Sequence, residues 1–241
     1  MNQPIRTIQV GRLECRHLPQ SWAFDIERGG EIDAHWARQT RDNPKLYDGL
    51  VLLSRNVNVS ANAQGETILS MDFFETRFSR FLAWRDFGFP DASVYNCFAM
   101  PALRSSDGAF LLGEMAPFHS SAGQLYFPAG TPDMNDVVDG RVDLEGSIIR
   151  ELAEEAGLSA RREELGAGWT VVFDLQRIAC MKIIDWPEPA ETILSRVRNF
   201  IASEDNPELA NAHMISRRAQ LDDPRLPEFM TAFLGEALMN P

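Results

Sequence analysis

Hydrophobic and polar positions change period several times along the chain, and each change marks an element. Alternation from Ile5 to His17 predicts a first strand, and helical spacing of apolar residues around Ile32 to Gln39 predicts a helix that stops before Asn43-Pro44. Leu50 to Val59 and Glu66 to Phe73 favour strands, and the turn-forming Ser60-Ala-Asn-Ala-Gln-Gly65 between them predicts a hairpin. Phe78, Phe81 and Leu82 place a helix over Phe74 to Trp84, and Gly88 to Asp91 reads as a linker. The pattern restarts at Val94. Asn96 to Leu103 and Ala109 to Met115, joined by Ser105-Ser-Asp-Gly108, predict a second hairpin, and Gln124 to Phe127 predicts a strand running into Pro128-Ala-Gly130. Asp143 suits the N-cap of a helix over Leu144 to Ala156. Trp169 to Asp174 and Gln176 to Ile184 are strand-like. Ala190, Ile193, Leu194, Val197, Phe200 and Ile201 mark an amphipathic helix, Met214-Ile215 a short strand, and Phe229, Met230, Phe233 and Leu234 a last helix. The expectation is an α+β protein in two parts, a small α+β unit over residues 1–91 and a second domain over 92–241.

Composition narrows the class. The chain has 241 residues, of which 44% are hydrophobic, enough for a sizeable core. A formal net charge of −12 argues against a nucleic-acid footprint, which needs clustered Lys and Arg, so an anionic substrate would be met through a bound cation. Cys15, Cys97 and Cys180 are odd in number and widely spaced, which supports neither a disulfide framework nor a zinc site. With no apolar run suited to a signal peptide or a membrane span, the expectation is a soluble, cytoplasmic protein. His17, His35, His119 and His213 lack metal-ligand spacing and read as surface or packing residues.

The candidate chemistry lies in Arg150-Glu-Leu-Ala-Glu-Glu-Ala-Gly-Leu158. Glu151, Glu154 and Glu155 fall on little more than one helical turn, so like charges are crowded. Gly157 suits a left-handed cap with Leu158 as its apolar contact, which leaves Glu154 and Glu155 in the last turn, where the helix dipole disfavours anions. Local rules broken together at one spot point to function. Hard divalent cations such as Mg²⁺ or Mn²⁺ take oxygen ligands and bridge to phosphates, and three clustered carboxylates supply such a site. A solvated acidic helix face is the bland alternative. It accounts for each glutamate separately but not for their occurrence with Arg150, Gly157, Leu158 and an upstream Pro-Ala-Gly.

This run resembles the second half of the signature of the Nudix hydrolases, G-x5-E-x7-R-E-U-x-E-E-x-G-U with U aliphatic, and matches it at Arg150, Glu151, Leu152, Glu154, Glu155, Gly157 and Leu158. The first half departs from the pattern. Counting back from Arg150, the signature glutamate falls on Val142 and the signature glycine on Asp136. Phe127-Pro-Ala-Gly130 looks like the strand end that opens the motif, so the loop after Gly130 carries about six extra residues relative to the signature. The resemblance implies an α/β/α sandwich with a mixed β-sheet for residues 92–241. It implies metal ligation by Glu151, Glu154, Glu155 and the Ala129 carbonyl, with Gly130 beside the substrate. Arg150 would orient the carboxylates, its usual partner replaced by Asp139 or Asp143. The general base would be Glu151 or a late-chain glutamate, Glu204 or Glu208, both of which are also ordinary surface residues by composition.

A more diffuse likeness covers the first part. Asn43-Pro-Lys-Leu-Tyr-Asp-Gly49, Thr76-Arg-Phe78 and Phe81-Leu-Ala83 are similar to the N-terminal extension of the Nudix subgroup that hydrolyses UDP-glucose and UDP-galactose. Tyr47 or Trp84 would then be able to stack on a base, although aromatic residues at such spacing usually belong to a core. The implied activity is cleavage of a nucleoside diphosphate joined to another group, a UDP-sugar first, by a chain that binds neither nucleic acid nor membrane and is compatible with a homodimer. A CoA-type substrate is the rival, weakened by Glu114 and Met115 where basic residues are expected. ADP-ribose is disfavoured because Val172 stands where that subgroup carries a proline. A nucleotide sensor that has lost catalysis is the alternative outside the enzymes, and it would be expected to have lost glutamates that are all present here.

Overall fold

A computed structural model describes residues 4–119 and 121–239. Its elements are the strands β1 (Arg6–Val10) and β2 (Arg12–His17), the helix α1 (Ala23–Asp42), the hairpin β3 (Leu50–Ala61) and β4 (Thr67–Arg77), and the helix α2 (Phe78–Asp86). There follow β5 (Asn96–Arg104), β6 (Phe110–Met115), β7 (Leu125–Tyr126), the short pair β8 (Val137–Val138) and β9 (Arg141–Val142), and the helix α3 (Leu144–Ala156). The chain continues with β10 (Trp169–Asp174), β11 (Arg177–Asp185), α4 (Ala190–Ser203), β12 (Leu209–Ile215) and α5 (Glu228–Ala237). The fold is α+β with mixed sheets, as expected.

Two compact units share these elements. One takes the chain up to Gly11, Phe98–Gly130 and everything from Leu144, and the other takes Arg12–Cys97 and Thr131–Asp143. This division differs from a single cut at 91/92. The expected first strand is interrupted at Gly11. Its halves join different sheets, β1 pairing antiparallel with β10 and β2 parallel with β4.

The sheet of the first unit runs β1-β10-β11-β5-β6-β12, with β7 on β6. Central β5 is buried along Cys97–Leu103, the unbroken apolar run of a strand covered on both faces. Helix α5 seats Phe229 near Phe98 and Phe233 against Phe110 and Phe127, with ring centroids 5.5 to 6.1 Å apart in that trio. These edge-on aromatic contacts close the core beneath the strand that leads to Pro128-Ala-Gly130.

The second unit has the sheet β3-β4-β2-β9-β8. Trp22, Phe24, Ile32, Leu53, Phe74, Phe81 and Trp84 form its core. Strand character continues through Phe73 and Phe74 to Arg77, so α2 starts four residues later than the periodicity predicts. The extra loop after Gly130 is not loose. Asp139 and Gly140, both at positive φ, turn β8 into β9, and Arg16 of β2 pairs with Arg141.

Candidate active site

Helix α3 sorts its residues into rows four apart. Leu144, Ile148, Leu152 and Ala156 form a buried apolar row, and the adjacent row, Ser147, Glu151 and Glu155, is buried too. Arg150 and Glu154 lie on the next row. The carboxylates therefore divide. Glu151 is only 8% exposed at its side chain, whereas Glu154 is 61% exposed. Two ionisable groups have been drawn into the core side of a helix whose apolar row pays for the burial.

The Arg150 guanidinium lies between them. Nη1 is 2.7 Å from Glu151 Oε1 and 3.2 Å from Glu154 Oε2. Arg150 thus bridges the two carboxylates. Asp139 and Asp143, expected as its partners, belong to the second unit.

Gly130 and Ala129 approach from the loop after β7. The Ala129 N–H donates to Glu155 Oε1 at 3.1 Å, while Glu155 Oε2 is buried with no hydrogen-bond partner. A methyl group on Gly130 would come within 2.6 Å of Glu151 Oε1, so only glycine lets this loop close on the carboxylate.

The helix stops as expected. Gly157 has φ +64° and its N–H bonds the Ala153 carbonyl, while the N–H of fully buried Leu158 reaches the Leu152 carbonyl. A side chain at Gly157 would also run into the ring of Phe200 on α4.

Glu151, Glu154, Glu155, Phe200, Glu204, Asn206, Pro207 and Glu208 enclose a cavity of about 430 Å³. The late-chain candidates Glu204 and Glu208 thus meet the three helix glutamates in one place, through the turn from α4 into β12. Phe200, Asn206 and Pro207 were not singled out by sequence. Phe200 reads there as one more apolar residue of an amphipathic helix. Tyr47 lies in the second unit, 83% exposed, and Trp84 is fully buried there, its indole N–H donating to the Asp91 carbonyl. Trp84 is a core residue.

Electrostatics mark the same cavity. Burial pushes the Glu151 carboxyl up to about 7, against the opposing pull of Arg150. Burial, reinforced by the charges of Glu151 and Glu208, holds the Glu155 carboxyl well above the usual carboxylate range. Glu208 is raised as well, by burial and then by the charge of Glu154. Like charges in a partly dry cleft stabilise the protonated forms until a cation enters.

Among the described residues no three His, Cys, Asp or Glu side chains are already drawn into a ligand shell. Glu154 points into solvent and Arg150 supplies the positive charge beside Glu151. The donor chemistry nevertheless fits a hard divalent cation. It is all oxygen, and it contains a buried carboxylate oxygen without a partner. The histidines take no part: His17, His35 and His213 lie 3.2, 3.0 and 2.8 Å from Glu75, Asp86 and Glu114, respectively.

No family model matches the sequence, and no curated protein matches it. Similar solved structures include a MutT protein from Methanosarcina mazei Go1, 19% identical over 59% of this chain and 92% of that one, with a TM-score of 0.41. A Nudix hydrolase from M. smegmatis, RenU, is 20% identical over 60% of this chain and 86% of that one, with a TM-score of 0.38. A bifunctional NMN adenylyltransferase/ADP ribose pyrophosphatase from Francisella tularensis is 13% identical over 66% of this chain, with a TM-score of 0.45. The match takes in only 45% of that longer protein.

Proposed function

We propose that this chain is a divalent-metal-dependent Nudix pyrophosphohydrolase that cleaves a nucleoside diphosphate joined to another group. The reading is carried by one observation: Arg150 to Ala156 form the end of a helix that buries Glu151 and Glu155 beside Gly130 in a cavity also lined by Glu208. A surface acidic helix would leave all its carboxylates in water, and this one does not.

Glu151, Glu154, Glu155 and the Ala129 carbonyl would hold Mg²⁺ or Mn²⁺. Such an ion supplies charge neutralisation at the diphosphate and makes a water acidic enough to attack phosphorus. The chain's own groups do the rest. Arg150 holds Glu151 and Glu154 apart from free rotation, so the cluster keeps its shape when a cation replaces protons. The Ala129 N–H fixes one oxygen of Glu155, and the other would be available as a ligand. Glu208, whose raised carboxyl lies across the cavity from α3, accepts the proton of the attacking water on a side-chain oxygen, and Glu204 lines the same wall. Gly130 lets the substrate-side loop reach the carboxylates without a side chain in the way.

A UDP-sugar is the first substrate to try, on the likeness of Asn43 to Gly49 and Thr76 to Ala83 to the UDP-sugar subgroup, with Tyr47 exposed where a ligand can reach it. Hydrolysis would yield UMP and a sugar 1-phosphate. Chromatographic assay of UMP release from UDP-glucose, with Mg²⁺ and with a chelator, tests the choice. Metal-dependent release supports it, and a pure, metal-loaded sample that releases no UMP removes UDP-glucose as the substrate.

A further inference from the structure

Phe200 has surroundings unlike those of the phenylalanines in the two cores. Phe110, Phe127 and Phe233 pack on one another, and Phe74 and Phe81 pack on tryptophans. Among the described residues no aromatic ring packs on Phe200. It is partly buried, it is the lone aromatic residue in a cavity wall otherwise made of five glutamates, Asn206 and Pro207, and its ring atoms Cγ and Cδ2 are pressed against Gly157.

An apolar ring costs free energy where it faces a charged, hydrated cleft. Here the ring is also held in place, because the absent side chain at Gly157 is the space it occupies. The cleft handles charge with its carboxylates, and Phe200 and Pro207 are the apolar residues of its wall. A substrate that brings a flat ring next to its phosphates would cover Phe200 and gain stacking contact.

We propose that Phe200 is the stacking wall for a planar heterocycle, the base of the nucleotide, in the carboxylate cavity. The inference rests on the hydrolase reading and adds to it a residue that selects base-bearing over base-free phosphates. Gly157 positions this wall. It joins the end of the carboxylate helix to α4, so the distance from base to metal ligands is set by one packed contact.

The test compares equilibrium binding of UMP and of ribose 5-phosphate, with saturating Mn²⁺, to the wild type and to Phe200→Leu, Phe200→Tyr and Phe200→Trp. Leucine keeps the packing on Gly157 and removes the ring. Stacking of one base is worth enough to favour UMP roughly ten-fold or more in the wild type. In Phe200→Leu that preference should fall to about two-fold or less, with Phe200→Tyr and Phe200→Trp retaining it. A wild type without preference, or a preference unchanged in Phe200→Leu, overturns the assignment. So does an equal loss for both ligands, which marks a merely structural ring. Turnover of a panel of nucleoside diphosphate derivatives, measured on the same samples, separates the two ideas: no turnover of any of them with the preference intact strikes the hydrolase reading alone, and turnover without the preference strikes the stacking wall alone.

Discussion

The backbone N–H of Ala129 donates a 3.1 Å hydrogen bond to Oε1 of Glu155, twenty-six positions away, and leaves Oε2 of the same carboxylate buried and unpartnered. A buried carboxylate oxygen without a donor is costly. Protonation relieves that cost in the metal-free protein, and a divalent cation relieves it better. The pairing of one satisfied and one orphaned oxygen is therefore the local reason to expect metal at the end of α3.

Glu155→Gln keeps the shape and an acceptor for the Ala129 N–H while removing the charge. Turnover should fall by roughly a hundred-fold or more, since even groups behind metal ligands are worth about ten- to a hundred-fold. The melting temperature at pH 8 in chelator should be unchanged or higher. Steady-state kinetics beside a thermal melt reads both, and turnover at the wild-type level would remove Glu155 from the site.

Stability without metal should depend on pH in an unusual direction. Glu151 has its carboxyl raised from 4.5 to about 7, so the folded state holds a proton that the unfolded chain has released. The resulting stability is complete below pH 4.5 and is lost as pH rises towards 7, up to about 3 kcal/mol for this group. Urea unfolding in chelator at several pH values should show the decline, and saturating Mg²⁺ should flatten it by binding the ionised form. A chelated protein whose stability rises steadily over that range contradicts the expectation.

Gly130→Ala puts a methyl group 2.6 Å from Glu151 Oε1. The glutamate must move, so metal affinity and turnover should drop by roughly ten-fold or more while the fold persists. Wild-type affinity in this variant would show that the loop does not close on Glu151.

Gly157→Ala forces a residue with a side chain into φ +64° and into the Phe200 ring. The left-handed backbone alone costs about 1–3 kcal/mol, and the ring must also shift. Chemical denaturation measures the loss. A change under about 0.5 kcal/mol would mean that the helix end relaxes freely.

Much of this was legible in sequence because the periodicities are strong and the punctuation is clear. Helix α3 runs from Leu144 to Ala156 as its cap residues indicate, and the hairpins of β3 with β4 and β5 with β6 follow their turn signals. The misses have physical causes. A thirteen-residue alternation from Ile5 to His17 says nothing about partners, so the break at Gly11 into two sheets is invisible until long-range pairing is known. Phe74 to Arg77 has helical spacing with Phe78, yet strand pairing with β3 overrides it. Strands of two residues, such as β8 and β9, are too short to show any period, although Asp139-Gly140 carries a turn signature. At the site, the rows of α3 could be drawn in advance, but which row faces the core could not. Glu151 and Glu155 were thus grouped with Glu154, although only Glu154 stays in water. Phe200 escaped notice because its role depends on Gly157, a contact between helices that no local pattern encodes.

Titration of Mn²⁺ into chelator-stripped protein, read by the loss of the free-ion electron paramagnetic resonance signal in the wild type and in Glu155→Gln, tests the central claim most directly. The wild type should take up Mn²⁺ at a discrete site, with binding strengthening as pH rises through 7 and protons leave Glu151, and Glu155→Gln should bind at least about ten-fold more weakly. Equal binding by the two proteins, or none by the wild type at pH 8, would contradict the account.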